Sequence, residues 1–265
     1  MLVRLKQTDH GILRNGIWAY TNERLCKDDL ITVQIVENEC SDNIAPVNLP
    51  LDIAYEDDDI IVINKPFDMP AHPSAGNHDN TLANALMYYY GSQNKPFVYR
   101  CINRLDRDTT GLTIVAKHAL AGGILGNAVA KRAIHRTYYA VCSGCTPACM
   151  RISAPIARKD ASTIERCVDF KRGENAVTDF IRIKYNPDNN LSLVKLRLLT
   201  GRTHQIRVHM KYIGFPLIGD FLYNPDYTYI SRQALHSGRL VFTHPVTGQK
   251  MNLISDIPSD MKSLF

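Results

Sequence analysis

The sequence predicts an α+β fold around a mostly antiparallel sheet, on two observations. Strand-like runs outnumber helix-like ones, and they follow one another without the regular βαβ rhythm of a parallel sheet. In the most regular run, Ser192–Leu199, the apolar Val194, Leu196 and Leu198 alternate with Lys195 and Arg197. One face of that strand is buried and the other wet. With 265 residues, 45% of them apolar and 22% charged, the chain suits one globular domain, or one with a small appendage, able to bury a real core. That balance excludes disorder, collagen and coiled coil, and there is no internal repeat or low-complexity tract.

Taken in order, Leu30–Glu37 (LITVQIVE) alternates as a strand after the polar turn CKDD. The polar, Pro-punctuated ENECSDNIAPVNLP then reads as a linker. It sets a boundary near residue 48, between a short N-terminal segment (1–48) and a body (49–265). Ile60–Asn64 is a short buried strand stopped by Lys65-Pro66. Asp79-Asn80-Thr81 offers a cap to a helix in which Leu82, Leu86 and Tyr89 fall at i, i+4 and i+7. Leu112–Ala116 is another buried strand. Ala119–Ala130 has helical length and apolar content, although Gly122, Gly123 and Gly126 each weaken a helix by ~1 kcal/mol relative to Ala. Strands follow at Tyr138–Cys142, Phe180–Lys184 and Ser192–Leu199. Thr203 is the expected cap of a helix with the stripe Ile206, Met210, Ile213 and Gly214 as its stop.

The longest stretch without a charge, Asn80–Asn94, has 15 residues with polar ones among them, too few for the ~20 apolar residues of a membrane span. The first residues lack the apolar run of a secretory signal. Seven cysteines, an odd number in a chain that needs no staples, point to free thiols in a reduced cytoplasm. Cys142, Cys145 and Cys149 (CSGCTPAC) have the residue type of a zinc site but lack a fourth ligand and a second knuckle, so buried or incidental thiols are expected and no metal. The net charge of +5 hides an asymmetry. Residues 1–70 carry six Lys+Arg and 13 Asp+Glu, whereas the rest carry 25 and 13. A basic body with an acidic lead points to a polyanionic partner.

No P-loop, G-x-S-x-G elbow, H-E-x-x-H, zinc-deaminase pair or Rossmann fingerprint is present. Charge instead concentrates in three segments: Asn103–Gly111 (NRLDRDTTG), Lys131–Tyr138 (KRAIHRTY) and Thr200–His209 (TGRTHQIRVH). Asp106 stands between Arg104 and Arg107 on a loop feeding a buried strand, so its carboxylate should stay ionised and fixed, as a nucleophile or general base requires. Asp108 and Asp220 are weaker candidates, because nothing local marks them.

RLDRDTTGLTIVAK and LLTGRTHQIRVHMKYIGFPLIGD closely resemble signature segments of the RluA/RluD-type RNA pseudouridine synthases. INKPFDMPAHPS resembles their first motif, RTYYAVCSG the segment with their active-site tyrosine, and ALHSGRLVFTHPVTGQ their C-terminal segment. The ordered set runs from about Ile53 to the C-terminus, some four-fifths of the chain, and is far more specific than one RLD tripeptide. The resemblance implies cofactor-independent isomerisation of uridine to pseudouridine in ribosomal or transfer RNA. The implied fold is a bisected, mostly antiparallel sheet with flanking helices and a central cleft.

By the same resemblance Asp106 is the essential aspartate, Tyr138 the tyrosine against the flipped base, and Arg207 the ion-pair partner of Asp106. Arg104 would help hold the displaced nucleotide, and Arg107, Arg202 and His204 are the other expected RNA contacts. A monomer and no membrane are expected. A non-catalytic RNA-binding or RNA-chaperone protein on the same fold is the alternative; joint retention of Asp106, Tyr138 and Arg207 argues against it. The chain departs from the family at Asn103, where His is usual, at Phe67-Asp68, where a Gly-containing turn is usual, and at Arg136, where Lys is common. Many relatives begin with an S4-like RNA-binding domain, and RLCKDDLITVQIVE looks like the tail of one, so segment 1–48 is expected to be a truncated remnant.

Overall fold

A computed structural model describes residues 5, 8–20, 22–35, 37, 39–74, 76–160, 162 and 164–265. Near the N-terminus β1 (Ile12–Arg14), β2 (Ile17–Trp18) and β3 (Ile31–Val33) form a small antiparallel sheet in the order β2-β1-β3. The strand expected over Leu30–Glu37 is thus shorter. Its partner β1 has only three residues, so the ladder ends at Val33, and Val36 lies outside the described residues. The linker that follows does not hang free: Ser41 N–H donates to the Phe97 carbonyl, and Val47 N–H to that of Asn84. Ile44, Leu49 and Leu51 pack on the apolar core beneath.

That core belongs to a ten-stranded sheet. Its first half holds β4 (Ile53–Glu56), β5 (Ile60–Lys65), β6 (Arg100–Cys101) and β7 (Thr110–Ala116). The second half holds β8 (His135–Ser143) and β9 (Cys149–Ser153), then, beyond a separate hairpin of β10 (Ile156–Arg158) and β11 (Arg166–Val168), β12 (Val177–Asn186) and β13 (Leu191–Leu198). β14 (Leu235–Thr243) lies between the halves, and the spatial order is β4-β5-β7-β14-β8-β13-β12-β9, with β6 on β7 and β15 (Lys250–Ile254) on β14. Every pairing is antiparallel except β7 with β14, which is parallel and has only two pairs, Thr110 with His236 and Gly111 with Ser237. The sheet is α+β and bisected, as expected.

The continuous apolar runs have a cause. Alternate residues of β5 and β7 serve different cores: Ile60, Val62, Leu112 and Ile114 on one face, Ile61, Ile63 and Val115 on the other. A strand covered on both faces needs no polar side. β13 has one covered face, where Val194 and Leu196 join Tyr138, Phe180, Ile206 and Met210, while Lys195 and Arg197 are exposed.

α1 (Leu82–Gly91) starts at Thr81, whose hydroxyl accepts from Asn84 N–H while the Asn84 side chain accepts from Thr81 N–H, a reciprocal cap. α2 (Ala119–Ala130) forms despite its glycines. His118 caps it by accepting from Ala121 N–H, and Ala121 and Leu125 bury its inner face. α3 (Gln205–Tyr212) starts one residue later than expected. His204, not Thr203, takes the N-cap place, with left-handed backbone (φ 56°) and no side-chain bond to the helix. Its end is as expected. Gly214 (φ 86°) donates to the Lys211 carbonyl and Phe215 to that of Met210, the paired bonds of a Schellman stop. A short α4 (Ser259–Lys262) closes the chain, and no helix among the described residues is long and apolar enough to cross a membrane.

The seam depends on Gly111, which has φ 109° and lies so close to β14 that a Cβ would meet the Ser237 carbonyl oxygen at 2.3 Å. We expect Gly111→Ala to cost about 2–5 kcal/mol, from left-handed strain together with overpacking. Denaturant unfolding measures it, and a loss under 1 kcal/mol would show the seam to be pliable.

Candidate active site

Where the half-sheets part, the loops at the seam open a cleft of about 1130 Å³. The β6–β7 loop, the start of β8 and the β13–α3 loop line it. Among its lining residues Asp106 is the lone carboxylate, facing seven arginines.

One arginine organises the floor. Arg207, only 1% exposed, is reached by two carboxylates. Its Nε and Nη2 donate to Asp220 Oδ2 and Oδ1, both at 2.7 Å, and its Nη1 donates to Asp106 Oδ2 at 2.9 Å. Asp220 is fully buried and its Oδ1 also accepts from Leu222 and Tyr223 N–H, so the bidentate pair cannot rotate. The rings of Tyr223 and Phe221 lie 5.0 and 5.4 Å from the guanidinium carbon. Burial would lower the Arg207 pKa, but the bonds to Asp220 and Asp106 outweigh it and raise the value. Asp106 is held at Oδ2 alone, and its side chain is 30% exposed toward the cleft.

The expected Asp106–Arg207 pair is present, but the second carboxylate corrects the sequence reading. Asp220 carries the buried half of the network although nothing around it in the sequence marks it. Its partner is 13 residues away across a turn, so only the folded chain brings the two together.

The loop bearing Asp106 is tied down by groups the sequence did not single out. Lys65, buried at the end of β5, donates from Nζ to the carbonyls of Pro66, Met69 and Arg107 at 2.7–2.8 Å. Burial pulls its pKa down to about 7, opposed by Asp108 and Asp106. Asn103, one of the departures from the family pattern, is buried, accepts from Ile114 N–H and donates to the Leu112 carbonyl. It fixes the loop to β7. Asp68, at the second departure, takes the left-handed backbone (φ 54°) that a glycine adopts readily.

The other expected residues divide. Tyr138 lies on β8, 4% exposed, and its hydroxyl forms no hydrogen bond with the described residues while the residue lines the cleft. Arg104 is exposed in the cleft without an ion pair among the described residues. Arg202 lines it too, paired to Glu174 and donating from Nε to the Asn175 carbonyl. His204 lines the cleft with Nε2 at 3.8 Å from Asp106 Oδ2 and Nδ1 at 3.0 Å from the Tyr223 hydroxyl. Arg107 is the exception. It is not among the residues lining the cleft; its Nε lies 3.2 Å from Asp108 Oδ1 and its guanidinium carbon 5.8 Å from the centre of the Phe221 ring.

The sequence profile of the family described as RNA pseudouridylate synthase matches residues 59–212, more than half of the chain and all of the loop bearing Asp106. The chain belongs to this family. The synthase is 41% identical over 253 residues to a Bacillus subtilis (strain 168) protein named uncharacterized RNA pseudouridine synthase YjbO, spanning 95% of this chain and 88% of that one. It is also 41% identical over 267 residues to ribosomal large subunit pseudouridine synthase D of Haemophilus influenzae, over 96% and 81% of the two chains. Among solved structures it resembles human RNA pseudouridylate synthase domain containing 1, with a TM-score of 0.66 and 26% identity over 78% of this chain and 83% of that one. The protein is therefore an RNA pseudouridine synthase, an isomerase, and the non-catalytic alternative is not favoured.

One group of the synthase has metal-ligand residue types. Asp57, Asp59 and His244 meet where the turns at the far end of β5 and β14 touch. His244 Nδ1 accepts from Val246 and Thr247 N–H, so Nε2 carries the proton and donates to Asp57 Oδ2 at 2.8 Å. That is a closed hydrogen-bond set, with no imidazole lone pair left for an ion. Of the CSGCTPAC cysteines, Cys142 is buried in the sheet while Cys145 and Cys149 are exposed, and they do not gather into a ligand set.

Removing Asp220 strands a buried cation. We expect Asp220→Leu and Arg207→Met each to destabilise the synthase by roughly 3–5 kcal/mol, and the two together to cost much less than their sum, without activity. Asp106→Asn, at a half-open site, should barely alter stability. Chemical denaturation of the variants tests the cycle; additive losses would show that Arg207 and Asp220 are not coupled.

Proposed function

We propose that the synthase isomerises uridine in ribosomal RNA of the large subunit, with Asp106 as the essential carboxylate, Arg207 as the cation that holds it and Tyr138 as the ring that meets the displaced base. One observation carries this reading: among the described residues, the only carboxylate in an arginine-lined cleft is pinned at one oxygen by a buried guanidinium and open at the other. The reaction breaks the N1–C1′ bond and forms C5–C1′. The hydrogen on C5 leaves and N1 takes one up, so no net oxidation occurs and no redox partner is called for.

A base inside a helical stack cannot turn over, and extruding it costs a few kcal/mol. Phosphate contacts to the cleft arginines offset that cost. Arg207 holds the Asp106 carboxyl in place, with no reorganisation needed when charge develops on ribose or base. The Tyr138 ring offers a surface for the uracil, and its hydroxyl, without a hydrogen-bond partner among the described residues, supports a role in moving a proton. Relatives at about 40% identity are named ribosomal large subunit pseudouridine synthases, which is the support for that substrate. We take the synthase to act as a monomer, and a ribosomal RNA substrate supports a cytoplasmic reaction. We take 49–265 as the catalytic unit and 1–48 as an attached remnant of an S4-like module.

Tritium release from ribosomal RNA labelled at uridine C5 is the assay. Asp106→Asn should abolish release with RNA affinity nearly intact, and activity within tenfold of the unaltered protein would overturn the assignment. Tyr138→Phe in the same assay should slow turnover by roughly 10²–10⁴ if the hydroxyl moves a proton. Unchanged turnover would leave Tyr138 a packing surface only. Mapping pseudouridine in ribosomal RNA with and without the gene locates the target, and a site outside the large subunit would refute that part.

The arginines divide in a testable way. A residue touching a phosphate contributes ~0.7–0.9 to the slope of log affinity against log salt. Arg104→Met should lower that slope by about this amount, and Arg107→Met, outside the cleft, should leave it unchanged. A salt series of RNA binding measures both, and equal effects would place Arg107 on the RNA after all.

A further inference from the structure

We propose that His204 is a positioning residue for Asp106, acting through a neutral imidazole whose proton is fixed on Nε2 by Tyr223. This rests on the reading of Asp106 as the essential carboxylate. His204 sits at the head of α3 with left-handed backbone, φ 56°, a conformation uncommon outside glycine. Such backbone persists where the surroundings over-determine it, and it gathers at functional sites. At the N-cap place a polar side chain ordinarily bonds to the helix; the His204 ring does not, and turns instead between Tyr223 and Asp106.

The hydrogen bonds decide where its proton lies. The Tyr223 oxygen accepts from Arg166 N–H at 2.9 Å, so its own hydrogen is free to donate to His204 Nδ1 at 3.0 Å. With Nδ1 accepting, a neutral ring carries its hydrogen on Nε2, the atom that faces Asp106 Oδ2. The groups facing the ring are Asp106, Arg207, Asp220, Arg166 and Tyr223. Burial and the cations lower its pKa against the pull of the two carboxylates, and burial holds the Tyr223 phenol up near about 12, so both are neutral at pH 7. At 3.8 Å the Nε2 contact is longer than a hydrogen bond. Catalytic hydrogen bonds are often longer before substrate binds and tighten in the complex with it. His204 then becomes the second donor to the carboxylate after Arg207 and sets which way its open oxygen points.

Single-turnover tritium release and RNA affinity are measured side by side for His204→Ala, His204→Gln, Tyr223→Phe and the double variant His204→Ala with Tyr223→Phe, each checked for its melting temperature. We expect the rate of His204→Ala to fall 10–100-fold with affinity within about twofold. His204→Gln, which returns an N–H near the Nε2 position, should recover most of the rate. Tyr223→Phe should slow the reaction several-fold alone and add nothing to His204→Ala, because the two act through one proton. Below the ordinary histidine range, about pH 6.5, a second proton would turn the ring into an ion-pair partner that neutralises Asp106. The rate of the unaltered protein should therefore fall on the acid side more steeply than that of His204→Gln. Lost affinity with an unchanged rate would make His204 an RNA contact only and overturn the proposal, as would multiplying effects of Tyr223→Phe and His204→Ala. Asp106→Asn run in parallel separates the two readings: if it stays active, the role of Asp106 itself is wrong.

Discussion

The bidentate pair of Arg207 with Asp220 is the constraint on which the site rests. Two opposite charges taken out of water are costly, and only close geometry with every remaining donor and acceptor satisfied makes their burial tolerable. Here both carboxylate oxygens and three guanidinium nitrogens are engaged, and the backbone N–H groups of Leu222 and Tyr223 complete the set. A guanidinium so anchored cannot turn, and its Nη1 is held facing Asp106. The orientation of the cleft carboxylate is thus inherited from a partner that never reaches the cleft.

A second layer of restraint comes from the opposite side of the loop. Lys65 gathers three carbonyls, one of them on Arg107, beside the residue it must steady. Asn103 ties the start of the same loop to β7. The loop therefore presents Asp106 between two anchors on the first half-sheet, while Arg207 reaches it from the second half. The active centre is assembled across the bisected sheet and belongs to neither half alone.

Much of this was legible in the sequence, and the illegible parts share a cause. β5 and β7 could be read because both faces are covered and their residues are apolar without break; β13 could be read because one face is wet. Helix α1 announced itself through Thr81, whereas α2 stands because Ala121 and Leu125 are buried, which outweighs three glycines. β14, at the centre of the sheet, showed no period; it was visible only inside a family-like segment, since Leu235–Gly238 is buried on every side. Asp106 stood out because two arginines flank it in the chain. Asp220, Lys65 and Tyr223 have partners 13 to 57 residues away or in backbone carbonyls, and local pattern carries no trace of such contacts.

The parallel seam between β7 and β14 has a consequence for how the chain is made. It joins Thr110 to His236, 126 positions later, and β14 is also the strand on which β8 leans. While the ribosome is still short of residue 236, β7 and β8 each present an open edge of unpaired N–H and C=O groups, the feature that invites pairing with other chains. Closing so distant a contact is slow, and the exposed intermediate persists for that time. The nascent polypeptide thus has no cleft and no activity through most of its synthesis. Those two edges are covered only when the penultimate strand has been made and pairs with both.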